Sequence, residues 1–136
     1  MILITDQAID VDVAIKAASS LEAGGLNVFI GTVRNNTKGK KVRWLEYEAY
    51  ETMAISEIKK IIEAAKQKWD LKGYSVIHRT GTLHPNEIAV VIAVACGHRK
   101  ESFEACQFII DELKKHVPIF KKEVFEDGAE WVSARP

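Results

Sequence analysis

"EIAVVIAVAC", residues 87–96, decides the fold: after Glu87 no charged residue and no turn former interrupts the run from Ile88 to Cys96. Its β-branched residues favour extended backbone, and a strand that is apolar at both odd and even positions has to be covered on both faces. The segment is therefore expected at the centre of a sheet. On its N-terminal side "YSVIHRTG" (74–81) reads as another strand, joined to it through "TLHPNE". On its C-terminal side Gly97 breaks the strand, and Phe103, Cys106, Ile110 and Leu113 recur at helical spacing. That helix must end before Pro118, because the residue preceding a proline is pushed out of the α region.

Working outward, "ILIT" (2–5) reads as a short strand, and Asp10 is placed to cap a helix from Val11 to Ser20 that exits at Gly24-Gly25. "LNVFIGTVR" (26–34) and "KVRWLEYEAY" (41–50) read as strands, and the polar "NNTKGK" between them predicts a hairpin with a basic tip. From Glu51 to about Trp69, a stripe of Met53, Ala54, Ile58, Ile61, Ile62, Ala65 and Trp69 predicts a second amphipathic helix. "IFKKEVF" and "AEWVSA" around Asp127-Gly128 predict a final hairpin. Hairpins mixed with crossover helices indicate an α+β domain with helices packed on a mixed sheet.

The bulk properties narrow the function. A chain of 136 residues is expected to form one domain, residues 1–136. Nineteen basic side chains balance nineteen acidic ones, so no global field draws the chain to nucleic acid or to an anionic membrane. Cys96 and Cys106 fall in a strand and a helix and form no CxxC pair, which argues against a disulfide framework or a zinc site and for a reducing, cytoplasmic setting. "MILITDQAID" lacks the basic start and long apolar run of a leader, so a soluble, unprocessed protein is expected.

Charge is nevertheless concentrated locally. "IDELKKHVPIFKKE" (110–123) gathers Lys114, Lys115, His116, Lys121 and Lys122 around Pro118. Lys121 and Lys122 point to opposite faces of a strand, so only one can share a pocket with Lys114, and the alternation does not say which. A second basic pair, His98 and Arg99, stands at a helix start, where free N–H groups favour an anion. Arg34, at a strand end, is a third basic site. Taken singly, each of these cations is explained by a helix dipole or by protection of a strand edge. His78 and His84 read as structural or solvated, and Cys106 as core. Together the cations imply a site for a small anionic ligand.

Several motifs in order, "LEYEAY", "HRTG", the "HR" at the third helix, and "DELK" followed by "PIFKKE", make the sequence resemble the large, catalytic subunit of molybdopterin synthase over nearly its whole length. The resemblance implies an α/β hammerhead-type fold with an additional antiparallel sheet. It implies a sulfurtransferase that converts cyclic pyranopterin monophosphate (precursor Z) to molybdopterin, with sulfur from the C-terminal Gly-Gly thiocarboxylate of a small ubiquitin-like subunit. It further implies a homodimer at the centre of a heterotetramer, with no cofactor, metal, nucleic acid or membrane. The catalytic lysines of the family match Lys114 and Lys121. Its substrate positions match Arg34, His98 and Arg99, flanked by Thr32, Val33, Lys122 and Glu123, and an arginine near its C-terminus matches Arg135.

Overall fold

A computed structural model describes residues 1–133, of which 129–133 are described through their backbone only; Arg135 lies outside the described residues. The elements follow in the order β1 (Ile2–Thr5), α1 (Val11–Ala18), β2 (Gly25–Thr32), β3 (Asn36–Thr37), β4 (Lys40–Ala49), α2 (Glu51–Lys68), β5 (Leu71–Arg79), β6 (Gly81–Leu83), β7 (Ile88–Cys96), α3 (Arg99–His116), β8 (Ile119–Phe125) and β9 (Gly128–Ser133). They form two sheets. The first, in the order β1-β5-β7-β2, is mixed, since β1 runs parallel to β5 while β5 and β2 run antiparallel to β7. The second is antiparallel, in the order β3-β4-β8-β9, with β6 paired to β4 opposite β8.

Strand β7 is internal and buried from Ala89 to Cys96. Its alternation supplies two cores. Val90, Ile92, Val94 and Cys96 join the main cluster with residues of α2 and α3, while Val91 packs with Ala14 of α1 and Ile77 of β5. Helix α1 begins as expected, with the Asp10 carboxylate accepting from the Asp12 N–H at 3.0 Å. Helix α3 stops at His116, and Val117, directly before Pro118, is extended at φ −81° and ψ 129°.

Two expectations need correction. Strands β2 and β4 do not form a hairpin, because β2 pairs with β7 along its whole length and β4 belongs to the other sheet. The tight turn in "NNTKGK" instead joins the two-residue β3 to β4. There Lys38 and Gly39 both take positive φ (52° and 82°), as a two-residue hairpin loop requires. In the helices, Met53 and Phe103 lie on the apolar stripes yet are 57% and 60% exposed, and the faces that pack are filled by Ala54, Ile58, Ile61, Ile62 and Ala65 in α2 and by Ala105, Cys106, Ile109, Ile110 and Leu113 in α3.

This arrangement fixes a stability contrast. Ile92→Ala should lower the unfolding free energy by about 2–5 kcal/mol, and Phe103→Ala should change it by less than about 0.5 kcal/mol. Urea unfolding followed by circular dichroism measures both, and equal losses would contradict the packing of α3 described above.

Candidate functional site

The β8 pleat answers the question that alternation left open. Ile119, Glu123 and Phe125 are buried, so the face they share with Lys121 turns inward, and Lys122 lies on the other. Register places Lys121 opposite Tyr47 and Glu123 opposite Leu45 of β4, so these four side chains share one face of the second sheet. The C-terminal turn of α3 meets that face, with Leu113 anchored in the core and Lys114 beside it.

Between the two sheets and this helix end lies a cavity of about 360 Å³. Thr32, Arg34, Lys114, Lys121 and Glu123 line it, together with Thr37, Tyr47 and His78 and the apolar side chains of Phe29, Leu45, Val90, Ile110 and Leu113. Its volume falls within the range of small-molecule sites. Among the ion pairs of the described residues, none includes Arg34, Lys114 or Lys121. Among the described residues, three cations thus face one recess with one carboxylate, Glu123.

The remaining sequence candidates are not on the cavity wall. Val33 is buried, and its backbone bonds to Glu87 and Asn86 hold the strand end from which Arg34 projects. His98 caps α3 and Arg99 opens it, which puts them about 22 Å along the helix from Lys114 at 1.5 Å per residue. In the sequence His78 reads as structural or solvated, since an imidazole stands within an apolar strand in "HRTG"; Tyr47, between Glu46 and Glu48 in "LEYEAY", is marked only by the inward alternation of β4.

Burial governs the acid–base properties. Lys121 is held below the usual lysine range chiefly by desolvation; Glu123 acts against the shift, and Lys114 and Arg34 add to it. The Tyr47 hydroxyl is pushed up to about 12, by burial first and the Glu123 charge second. His78 is brought down to about 4 by burial, against the 2.8 Å contact between its Nδ1 and the Arg79 carbonyl oxygen. The site therefore combines cationic side chains with a neutral phenol, a neutral imidazole and a lysine that gives up its proton more readily than usual. Among the described residues no cluster of three His, Cys, Asp or Glu side chains is placed to hold a metal ion, and no helix is long and apolar enough to cross a membrane.

These causes can be separated by titration. Lys114→Met should raise the Lys121 pKa and Glu123→Gln should lower it, as read from the Lys121 Nζ resonance by NMR; no movement in either variant would remove the electrostatic account. His78 supplies a pH test of stability. Between about 4 and its ordinary 6.5, the unfolded chain binds the proton that the folded ring refuses. This contribution is complete above about pH 6.5 and is lost as the pH falls toward about 4. His78→Gln should flatten that part of the stability–pH curve relative to the wild type.

Comparison with known proteins agrees with the motifs. The MoaE protein family model matches residues 4–116. The molybdopterin synthase catalytic subunit of Bacillus subtilis is 44% identical over 129 residues, covering 95% of this chain and 82% of the relative. The human molybdopterin synthase catalytic subunit is 43% identical over 127 residues, covering 93% and 68%. The crystal structure of molybdopterin synthase from Staphylococcus aureus superimposes with a TM-score of 0.92 at 38% identity, over 96% of this chain and 95% of that one. A match over most of the sequence and nearly all of the fold places the chain in the MoaE family of enzymes, the catalytic subunits of molybdopterin synthase.

Proposed function

We propose that this chain carries out the sulfur-insertion step that turns cyclic pyranopterin monophosphate into molybdopterin, in the cytoplasm, with sulfur from the C-terminal Gly-Gly thiocarboxylate of a small ubiquitin-like carrier. The observation that supports it is the convergence of Arg34, Lys114 and Lys121 on one cavity with no carboxylate partner for any of them among the described ion pairs. Both reactants are anions, a phosphate and a thiocarboxylate. Unneutralised cations in a partly desolvated recess bring them together where the attraction is stronger than in water.

In this reading the carrier's tail enters the cavity and its sulfur attacks an oxygen-bearing carbon of the substrate; the C–O bond there breaks, the oxygen leaves as water after taking a proton or stays on the phosphate as the cyclic ester opens, and the carrier is left joined as a thioester. Water then adds to the acyl carbon and the acyl C–S bond breaks. The sulfur stays on the pterin, and the carrier departs as a carboxylate. Lys114 orients the thiocarboxylate and stabilises the oxyanion that forms when water adds. Lys121, whose depressed pKa favours proton exchange, supplies or takes protons on the substrate side. Arg34 grips the phosphate with its planar fork.

Thr32 and Glu123 contribute from the cavity wall, Val33 through backbone, and Lys122 from the outer face of β8. His98 and Arg99 stand at the opposite end of α3, so they serve the same substrate only when a second copy of the chain brings them to it. A homodimer at the centre of a heterotetramer, with a small subunit at each end, provides that arrangement.

A single-turnover reaction of the full chain with precursor Z and a thiocarboxylated carrier, with product followed by mass, tests the reading. Lys114→Ala and Lys121→Ala should each reduce the rate by roughly 10²-fold or more while the proteins stay folded. Wild-type turnover that survives both substitutions would remove these lysines from the reaction.

A further inference from the structure

The cavity contains acceptors as well as cations, and an anion does not use them. Glu123 is 3% exposed, and its Oε2 is buried with no hydrogen-bond partner among the described residues. A buried carboxylate oxygen left without a donor is unfavourable unless a ligand supplies one. His78 is 1% exposed and also lines the cavity. Its Nδ1 lies 2.8 Å from the Arg79 carbonyl oxygen, which can only accept, so Nδ1 carries the ring proton. In the neutral ring Nε2 is then a bare acceptor. Tyr47 packs edge-on against this imidazole with ring centroids 5.1 Å apart at 71°, and it shares the inward face of the second sheet with Glu123, whose charge acts on its hydroxyl.

Resting on the sulfur-transfer reading, we infer that Glu123 Oε2 and His78 Nε2 form a recessed acceptor pair that takes the N–H donors of the pterin's amino-pyrimidinone edge, and so selects the heterocycle, while Arg34, Lys114 and Lys121 hold the anionic groups. His78 is then a specificity-determining residue and not a core histidine. The division follows from chemistry. Ammonium and guanidinium groups can only donate, so they can reach the C4 carbonyl oxygen of that edge but cannot take its adjacent N3–H and 2-amino donors. A carboxylate facing adjacent ring N–H and amino groups accepts from both, and it opposes a ligand that presents a carbonyl oxygen at the amino position.

The test uses a matched pair of ligands, a pterin monophosphate and the lumazine monophosphate that carries an oxo group in place of the 2-amino group, with inorganic phosphate as the third probe. Binding to the full chain is measured by calorimetry. Wild type should prefer the pterin by at least tenfold. Glu123→Gln and His78→Phe should each bring that ratio below threefold without weakening inorganic phosphate, and His78→Gln, whose amide oxygen can stand where Nε2 stood, should keep the preference. Loss of the ratio with phosphate binding retained is a result that a merely structural role for His78 would not give. Should His78→Phe not fold, the near-isosteric Glu123→Gln and the wild-type ratio still decide the matter. A wild type that does not discriminate, or variants that discriminate as well as wild type, would overturn the acceptor pair. The outcome is distinct from that of the sulfur-transfer assay. Product formed by a wild type without ring preference removes the recess and leaves the reaction, whereas ring preference in a chain that forms no product upholds the recess and removes the reaction.

Discussion

Two-sided burial of β7 is the constraint on which the rest of the structure depends. A strand that buries consecutive side chains from Ala89 to Cys96 needs apolar cover on both faces, and its alternation assigns each residue to one cover or the other. Val91 calls for α1, and Val90, Ile92 and Val94 call for α2 and α3. Helix α3 therefore lies against the sheet over eighteen residues. At its start the fit is close, since a Cβ on Gly25 would meet the Arg99 backbone. With one end set so tightly, the length of the helix determines where the other end falls, and it falls against β4 and β8. The position of Lys114 is in this sense a consequence of how α3 is docked on β7 and β2.

Three cations gathered in one half-buried recess repel one another, and desolvation adds to the cost. The fold resists this by anchoring each from behind. Leu113 precedes Lys114, Ile119 lies two residues before Lys121 on the same face, and Val33 precedes Arg34, all of them buried. The backbone cannot swing these side chains out without opening the core. Glu123 relieves part of the repulsion, since its charge opposes the downward shift of Lys121. Among the described residues one carboxylate stands against three cations, and that surplus favours an anion in the cavity.

Much of the fold was legible in the sequence because the signals were local. An uninterrupted apolar run marked β7, Pro118 marked the end of α3, Asp10 marked the start of α1, and Asp127-Gly128 marked the last hairpin. The hairpin expected between β2 and β4 was not there, because nearness in sequence says nothing about which edge of a strand is already taken, and β7 takes that of β2. Met53 and Phe103 were misplaced because helical spacing defines a stripe wider than the face that packs. In the site, the cations were visible as a cluster, but the choice between Lys121 and Lys122 required the inward face of β8, which depends on a pairing with β4 made across the whole chain. His78 read as structural or solvated for the same reason: an imidazole in an apolar strand looks alike whether it meets a core or a cavity.

The two cavity lysines share a side chain but not an environment. Lys114 sits in the last turn of α3, where the helix's unpaired carbonyl groups present partial negative charge that stabilises a cation. Lys121 sits on a strand, which has no comparable dipole. Burial there acts against the charged form, and the neighbouring cations act in the same direction. In the proposed sulfur transfer, a cation at a helix end suits the task of holding an anion, whereas a lysine whose proton is more easily lost suits proton transfer. For the proposed reaction between two anions, the junction of a helix end with a strand, and not the presence of two lysines as such, is then the feature that matters.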